Sequence, residues 1–247
     1  MKLRLSLLLL TALVIYAVPA AAQDEALLSF TGYDYQVDVN SPPAPPDGNG
    51  PYLGLGHSYY ALGFVTSFNP TWLQPYVDQN NNEYTFYQHG LVVNSYFFGG
   101  NQLYVTFANG GAVEYYEDPS KDAQNPPNPP NCPAYGVQPP NASAPSKFIN
   151  GTAAITGSLA NASLSYDYNN NQGGFQADMN ITGGADAAYV PAPSWNGWFM
   201  SGLVTPPPGG NPCPAPAGYD HQISGECRHP VVPTSHGTWG SIKKLYR

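Results

Sequence analysis

The chain has 247 residues, of which 16 are acidic and 8 basic, so its formal net charge is -8. This charge excludes a general nucleic-acid-binding protein, because phosphate contacts need clustered lysine and arginine. Only 10% of the residues are charged, whereas glycine, proline and tyrosine number 26, 27 and 19. The aromatic content excludes a disordered chain, and the composition as a whole is typical of an extracellular β-protein.

The first 22 residues have the pattern of a secretory signal peptide. Lys2 and Arg4 precede an apolar run (residues 5–18), and small residues ending at Ala22 form an A-x-A cleavage site. The run is shorter than the roughly 20 residues that a membrane-spanning helix needs. We therefore expect cleavage after Ala22 and a mature protein that is secreted or held at the cell surface, with no membrane span.

Two β-like stretches follow the signal peptide. Residues 27–39 alternate well enough for a first strand, which ends at the proline-rich loop 41–50. Residues 52–68 form a second apolar stretch that three glycines interrupt, as two short strands or one bent strand would. Trp72 then lies in a turn.

The clearest β-pattern lies between Glu83 and Asp118. Three runs of β-branched and aromatic residues are separated there by Gly-Gly-Asn and Asn-Gly-Gly turns, which predicts an antiparallel meander. In its middle run, Leu103, Val105 and Phe107 alternate with Gln102, Tyr104 and Thr106. The alternation predicts one buried and one exposed face. If the polar face borders a groove, the meander is a binding platform; if another sheet covers it, the meander is only core.

A proline-rich segment (residues 119–146) separates the meander from a second β-rich region that ends near residue 205. We predict that the two regions are the sheets of one antiparallel β-sandwich, jelly-roll or Ig-like, over residues 23–205, with little helix. Segment 119–146 would then cross between the sheets. The alternative is two small domains. Residues 206–247 are predicted to form a separate Pro/Gly-rich, Cys-containing segment with a basic tail.

Paired carboxylates are the candidates for catalysis. Glu83 begins the meander, and Glu114 and Asp118 lie near its end, so antiparallel pairing would bring these acids closer. Glycoside hydrolysis needs two carboxylates, about 5–5.5 Å apart for retention or about 6.5–9.5 Å for inversion. The chain has no nucleophile elbow and no phosphate-binding loop. A glycan-active hydrolase is therefore the alternative hypothesis.

Aromatic residues beside turns or on the exposed strand face are the candidates for ligand binding: Trp72, Tyr104, Trp195 and Trp198. Flat rings at such positions can hold sugars, although a tryptophan can also close the end of a core. The leading hypothesis is a secreted, non-catalytic structural or binding module for an extracellular glycan or cell-surface component. A further alternative is a matrix protein that self-associates through strand edges and tyrosines.

Asp78, Asn80 and Asn82 place oxygen ligands at positions 1, 3 and 5 of a calcium loop. Glu83 stands where an EF-hand requires glycine, and His89 where it requires a bidentate glutamate, so an EF-hand is excluded. A looser calcium site in this loop stays open. No other cofactor is expected.

The three cysteines are Cys132, Cys213 and Cys227. Cys213 and Cys227 bracket a compact loop, and a disulfide between them would be worth about 3 kcal/mol. We expect this pairing. The alternative joins Cys132 to one of the two.

The tail from residue 238 to 247 differs in composition from the rest of the chain. It resembles the short W-G-x-x-K-x-L-Y-R endings of some uncharacterised exported bacterial proteins. The residues that carry the resemblance are Trp239, Gly240, Lys243, Leu245, Tyr246 and Arg247. The resemblance implies no activity.

Overall fold

The computed structural model describes residues 25–37, 54–124, 133, 135, 143–207 and 218–229. The signal-peptide, Cys132, Cys213 and tail predictions lie outside these residues. The described strands are β1 (Glu25–Val37), β2 (Ser58–Phe68), β3 (Glu83–Gly99), β4 (Gln102–Ala108), β5 (Gly111–Asp118), β6 (Thr152–Asp167), β7 (Gln172–Gly183), β8 (Trp198–Thr205) and β9 (His221–His229). A short helix, α1 (Ser143–Phe148), and 3-10 turns at Ala187–Tyr189 and Ala192–Ser194 complete the elements. None of the described helices has the length and apolar character needed to cross a membrane.

The strands form one antiparallel sheet that closes on itself. Sequential strands are neighbours around the sheet, and β1 pairs with β9 to complete the circle. β4 and β5 act as one long strand, because both pair with β3 on one side and with β6 on the other. The result is an eight-stranded barrel.

The predicted β-sandwich is therefore wrong. One-sided alternation shows which face of a strand is buried, but it does not show what buries it. Here the inward faces of the strands pack against each other across the barrel. The proline-rich segment does not join two sheets, because β5 and β6 are neighbours; Val113, for example, pairs with Gly157. β9 lies within the part of the chain that the sequence assigned to a separate C-terminal segment.

Aromatic rings and glycines share the middle of the barrel interior. Phe30 packs against Phe86 and Phe175, with ring centroids 4.9 and 6.0 Å apart. A Cβ on Gly225 would lie 2.8 Å from the Phe175 ring and 2.9 Å from the Phe30 ring. Glycine in β9 therefore makes room for the two rings.

A second apolar cluster lies outside the barrel, on the outer faces of β1 and β2. Its buried members are Tyr35, Leu62, Ala123, Tyr135, Phe148 and Tyr219. Phe148, at the end of α1, is fully buried, and its carbonyl accepts a hydrogen bond from the Thr85 hydroxyl at 2.7 Å. Parts of the long β5–β6 connection thus cover this side of the barrel. Strands β4, β6 and β7 largely alternate between buried positions, which face the interior, and exposed or half-exposed positions on the outer face.

Candidate functional site

Phe97 on β3 and Tyr104 on β4 form an exposed aromatic pair on the outer face of the barrel. Their rings are stacked, with centroids 4.8 Å apart and planes at 12°. Phe97 is 61% exposed and Tyr104 37% exposed. The Tyr104 hydroxyl donates a hydrogen bond to the side-chain oxygen of Gln102. This hydrogen bond ties the ring of Tyr104 to its own strand.

Small residues on the next two strands leave a groove beside Tyr104. Tyr104 pairs with Ser165, Ser165 with Gly174, and Gly174 with Leu203. Because directly paired residues share one face of a sheet, Ser165 and Gly174 form a floor between Tyr104 and Leu203. Strands lie about 4.8 Å apart, so the two walls stand roughly 14 Å apart. Leu203, the far wall, is 61% exposed.

Two adjoining cavities, of about 390 and 440 Å³, occupy this groove. Both are lined by Tyr104, Ser165 and Gly174. The polar residues around them are Gln102, Asp167 and Gln172 in one cavity and Thr106, Ser163 and Gln176 in the other. We call this feature the outer groove. It presents amides and hydroxyls beside a flat aromatic ring.

Asp167 is the charged side chain among the residues that line the outer groove. Its carboxylate accepts hydrogen bonds from the backbone N–H of Asn169 and from the side-chain amide of Asn170, each at 2.8 Å. The backbone hydrogen bond from Asn169, with smaller contributions from Asn170, lowers the pKa of Asp167 below its usual value. This carboxylate is therefore ionised at neutral pH and acts as a hydrogen-bond acceptor.

Of the four aromatic residues predicted to bind a ligand, Tyr104 lines the outer groove. The three tryptophans lie together near the opposite end of the barrel. Trp198 is 1% exposed and meets Trp72 edge to face, with ring centroids 5.9 Å apart. The indole N–H of Trp195 donates to the carbonyl of Val190 at 3.0 Å. Packing against the core therefore accounts for the tryptophans.

The predicted carboxylates Glu83 and Asp118 face each other on β3 and β5, and both are buried. Oxygen atoms of Glu83, Asp118 and Asp122 all lie within 4.8 Å of one another. The Glu83 carboxylate accepts the backbone N–H groups of Ala123 at 2.9 Å and Gln124 at 2.7 Å. Burial raises the pKa of Glu83 above its usual value, although these two hydrogen bonds oppose the shift. Glu83, beside its paired residue Asp118, thus holds the backbone of the segment that follows β5.

Glu114 is not part of this cluster. It accepts a hydrogen bond from the Tyr116 hydroxyl and lies 3.7 Å from Nε2 of His89. None of the three predicted carboxylates is among the residues lining the outer groove. The catalytic assignment to Glu83, Glu114 and Asp118 stays a prediction from the sequence.

The predicted calcium ligands in the Asp78 loop already make hydrogen bonds within the protein. The carboxylate of Asp78 accepts the backbone N–H groups of Asn80 and Asn81, each at 3.2 Å. The ammonium group of Lys121 donates to the carbonyl of Asn80, and the Asn82 amide donates to Glu117. A lysine ammonium group thus lies against the backbone of the predicted calcium loop. Among the described residues, the acidic cluster around Glu83 is the closer match to a cation ligand set.

A buried polar cluster inside the barrel was missed by the sequence predictions. Asp34 on β1 is fully buried, and its carboxylate accepts the Tyr59 hydroxyl at 2.7 Å and the His221 backbone N–H at 2.7 Å. Nδ1 of His221 lies 3.1 Å from both carboxylate oxygens. Its Nε2 has no hydrogen-bond partner among the described residues. Asp34 lies at an inward-facing position in the alternation of β1. This position indicates that its side chain is buried, and the sequence predictions did not take it into account.

Two neighbouring groups in this cluster have shifted pKa values. Burial lowers the pKa of His221, but the charges of Asp34 and Asp220 outweigh that effect and leave it above its usual value. Burial and the charge of Asp34 together raise the pKa of Asp220 to about 7. Asp220 therefore changes charge near neutral pH, and His221 keeps its proton to a higher pH than an ordinary histidine does.

Cys227 is a free thiol inside the barrel, and the predicted Cys213–Cys227 disulfide is a mistaken assignment. Its side chain is fully buried, and Sγ contacts the sulfur of Met179 at 3.7 Å. Strand β9 directs Cys227 into the core, away from any surface loop. Spacing along the chain could not show this orientation.

The fold and the outer groove together define an eight-stranded antiparallel barrel with an aromatic-walled groove on its outer surface. Comparison of the chain with protein-family models, with curated proteins and with solved structures finds no match.

Proposed function

We propose that this chain is a secreted, non-catalytic binding module that holds a neutral glycan in the outer groove. The observation that carries the proposal is the exposed Phe97–Tyr104 stack beside the low floor of Ser165 and Gly174. One face of Tyr104 is covered by Phe97, while the other looks across the floor toward Leu203. The ring of a neutral sugar can lie against this open face of Tyr104. The hydroxyls at the edge of the sugar can then still reach the polar groups of the groove.

The polar lining supports a neutral hydroxylated ligand. Amide side chains such as Gln172 and Gln176 can both donate and accept hydrogen bonds, as sugar hydroxyls do. Asp167 adds a strong acceptor. Neither cavity is lined by a lysine or arginine, and the chain as a whole is acidic, so the groove is poorly suited to anions.

The hydrolase alternative has less support than binding. The two predicted carboxylates that lie together, Glu83 and Asp118, are buried, and Glu83 holds the backbone of the following segment. Asp167 is the single carboxylate lining the groove, whereas glycoside hydrolysis ordinarily uses two. The export part of the proposal is supported by the signal-peptide pattern of residues 1–22.

The test is a glycan array combined with pull-down on insoluble neutral polysaccharides. Tyr104→Ala removes the open ring face, and Gly174→Leu fills the floor. Each is expected to weaken binding by about tenfold or more, equivalent to roughly 1.4 kcal/mol. Tyr189→Ala is the matched control, because Tyr189 also stacks on an exposed ring, that of Tyr76 at 3.6 Å, but does not line the groove. An array without any bound glycan, or equal binding by the Tyr104 variant and wild type, would overturn the proposal.

A further inference from the structure

Strand β3 extends beyond its partner β2 and leaves part of one edge unpaired by the described residues. Ser58, the first residue of β2, pairs with Val92. Val93 still exchanges hydrogen bonds with the turn before β2, accepting from Gly56 at 3.0 Å and donating to His57 at 2.9 Å. Beyond Val93, the register with β4 shifts at Asn94, and residues 95–99 pair with β4 on the other side only. We call residues 94–99 the open edge.

The hairpin geometry fixes which backbone groups face outward. Gly99 pairs with Gln102 across a two-residue turn. In such a hairpin the residues that flank the turn form a hydrogen-bonded pair, and alternate residues then point toward the partner strand. Phe97 and Gly99 therefore direct their N–H and C=O groups to β4. Tyr96 and Phe98 direct theirs to the open edge, where they form a template for another strand.

The side chains of the open edge lack the features that usually prevent strand pairing. Tyr96, Phe97 and Phe98 are 42%, 61% and 59% exposed. The segment contains no proline and no charged residue, which are the usual protections of an exposed edge. Charge is absent over a longer range, because residues 84–113 include no Asp, Glu, Lys or Arg. In a chain with a net charge of -8, this is a surface where two copies can meet with little mutual repulsion.

We propose that the open edge pairs with the same edge of a second copy of this chain. Two identical strands related by a two-fold axis pair antiparallel, so each contact is repeated on the other side of the axis. With the axis at Phe97, Tyr96 lies opposite the partner subunit's Phe98, and the two hairpins join into one four-stranded sheet. This inference does not depend on what the outer groove binds. The Phe97–Tyr104 stacks of both copies would lie on the same face of that sheet.

Sedimentation velocity over a wide range of concentration tests the proposal. The wild-type chain is expected to show a reversible monomer–dimer equilibrium. Tyr96→Pro removes the outward N–H without removing a bond to β4, and it is expected to be monomeric throughout. Tyr96→Ala is the matched control that loses the ring and keeps the N–H; it should still dimerise, with a dissociation constant raised roughly threefold to tenfold. Phe98→Lys, which places a charge on the edge, serves if the proline variant does not fold by circular dichroism.

Hydrogen exchange of the Tyr96 and Phe98 amides separates the remaining outcomes. Protection that grows with protein concentration supports pairing between copies. Protection in a strictly monomeric wild-type chain means that another part of the same chain covers the edge, and this overturns the proposal. A monomer with freely exchanging amides at both positions overturns it too. So does a dimer that both edge variants leave intact, because its interface then lies elsewhere.

Discussion

Gly173 and Gly174 are neighbours in β7, yet they face opposite sides of the barrel wall. A Cβ on Gly173 would lie 2.0 Å from the backbone carbonyl oxygen of Ser165, a distance that no packing adjustment can accommodate. A Cβ on Gly174 would meet only the carbonyl oxygen of Gly202, at 3.4 Å. Glycine is therefore required at residue 173, whereas at residue 174 it keeps the floor of the outer groove low.

Alanine substitutions should separate these two roles. Gly174→Ala is expected to leave stability unchanged or to raise it by up to about 1 kcal/mol, since glycine in a strand is unfavourable relative to alanine. Gly173→Ala is expected to cost about 2 kcal/mol or more, because the backbone must shift. Equilibrium unfolding in urea measures both. Equal losses for the two variants would contradict the assigned faces.

Stability should fall as pH rises through neutrality because of the cluster around Asp34. The pKa of His221 is raised in the folded state, so its contribution is fully present below its unfolded value of 6.5 and is lost above the folded value. The carboxyl of Asp220 has a pKa of about 7 when folded and 3.8 otherwise, so stability is also lost as pH rises between these values. The Tyr59 and Tyr166 hydroxyls nearby have pKa values raised above 10.0 by burial and stay neutral.

The check on this prediction is the free energy of unfolding measured from pH 5.5 to 8.5. The wild-type value should decline over this range, and His221→Gln should flatten the decline by removing one of the two titrations. A wild-type profile that rises with pH would show that the charges of Asp34 and His221 are not paired as described.

The thiol of Cys227 should be unreactive until the barrel unfolds. It is fully buried, and burial raises its pKa well above the usual value, so almost no thiolate forms at neutral pH. Alkylation followed by peptide mass spectrometry should find Cys227 unmodified in the native protein and modified in denaturant. Rapid modification of the native protein, or recovery of Cys227 in a disulfide-linked peptide, would contradict this assignment.

Glu83 should hold the segment that follows β5. Glu83→Ala removes the acceptor of the Ala123 and Gln124 backbone N–H groups, and leaving buried donors unpaired costs about 1–3 kcal/mol. Faster hydrogen exchange is expected at residues 119–124. Glu114→Ala is the control, because this half-buried carboxylate on the same strand pair contacts Tyr116 and His89 and should change stability by about 1 kcal/mol. Similar exchange in the two variants would remove the proposed role of Glu83.

The strands themselves could be read from the sequence because their signals are local. The alternation of residues 102–107 was predicted and is confirmed, with Leu103, Val105 and Phe107 buried between exposed neighbours. The Gly-Gly-Asn turn between β3 and β4 also lies where expected. The predicted second turn at Asn-Gly-Gly is wrong, because β5 continues along β3 in the direction of β4 and does not fold back on it as a meander requires. The alternation and the first turn depend on residues a few positions apart, which is the range over which a sequence pattern carries structural information.

Three features depend on contacts between residues that are distant in sequence. They are the closure of the barrel, the floor of the outer groove and the burial of the Cys227 thiol. β1 and β9 join residues nearly two hundred positions apart, and no pattern within either strand indicates its partner. Tyr104 was recognised as an exposed aromatic residue, but Ser165 and Gly174 gained a role only because β6 and β7 lie beside β4. Small residues that form a floor carry no signal of their own.

The most direct test of the outer groove is an NMR titration of the 15N-labelled protein with oligosaccharides of whichever neutral glycan the array identifies. The amide signals of Ser165, Gly174 and Gln176 are expected to shift, and these shifts should disappear in Tyr104→Ala but persist in Tyr189→Ala. Shifts confined to the tryptophan end of the barrel, or shifts that Tyr104→Ala leaves unchanged, would contradict binding in the outer groove.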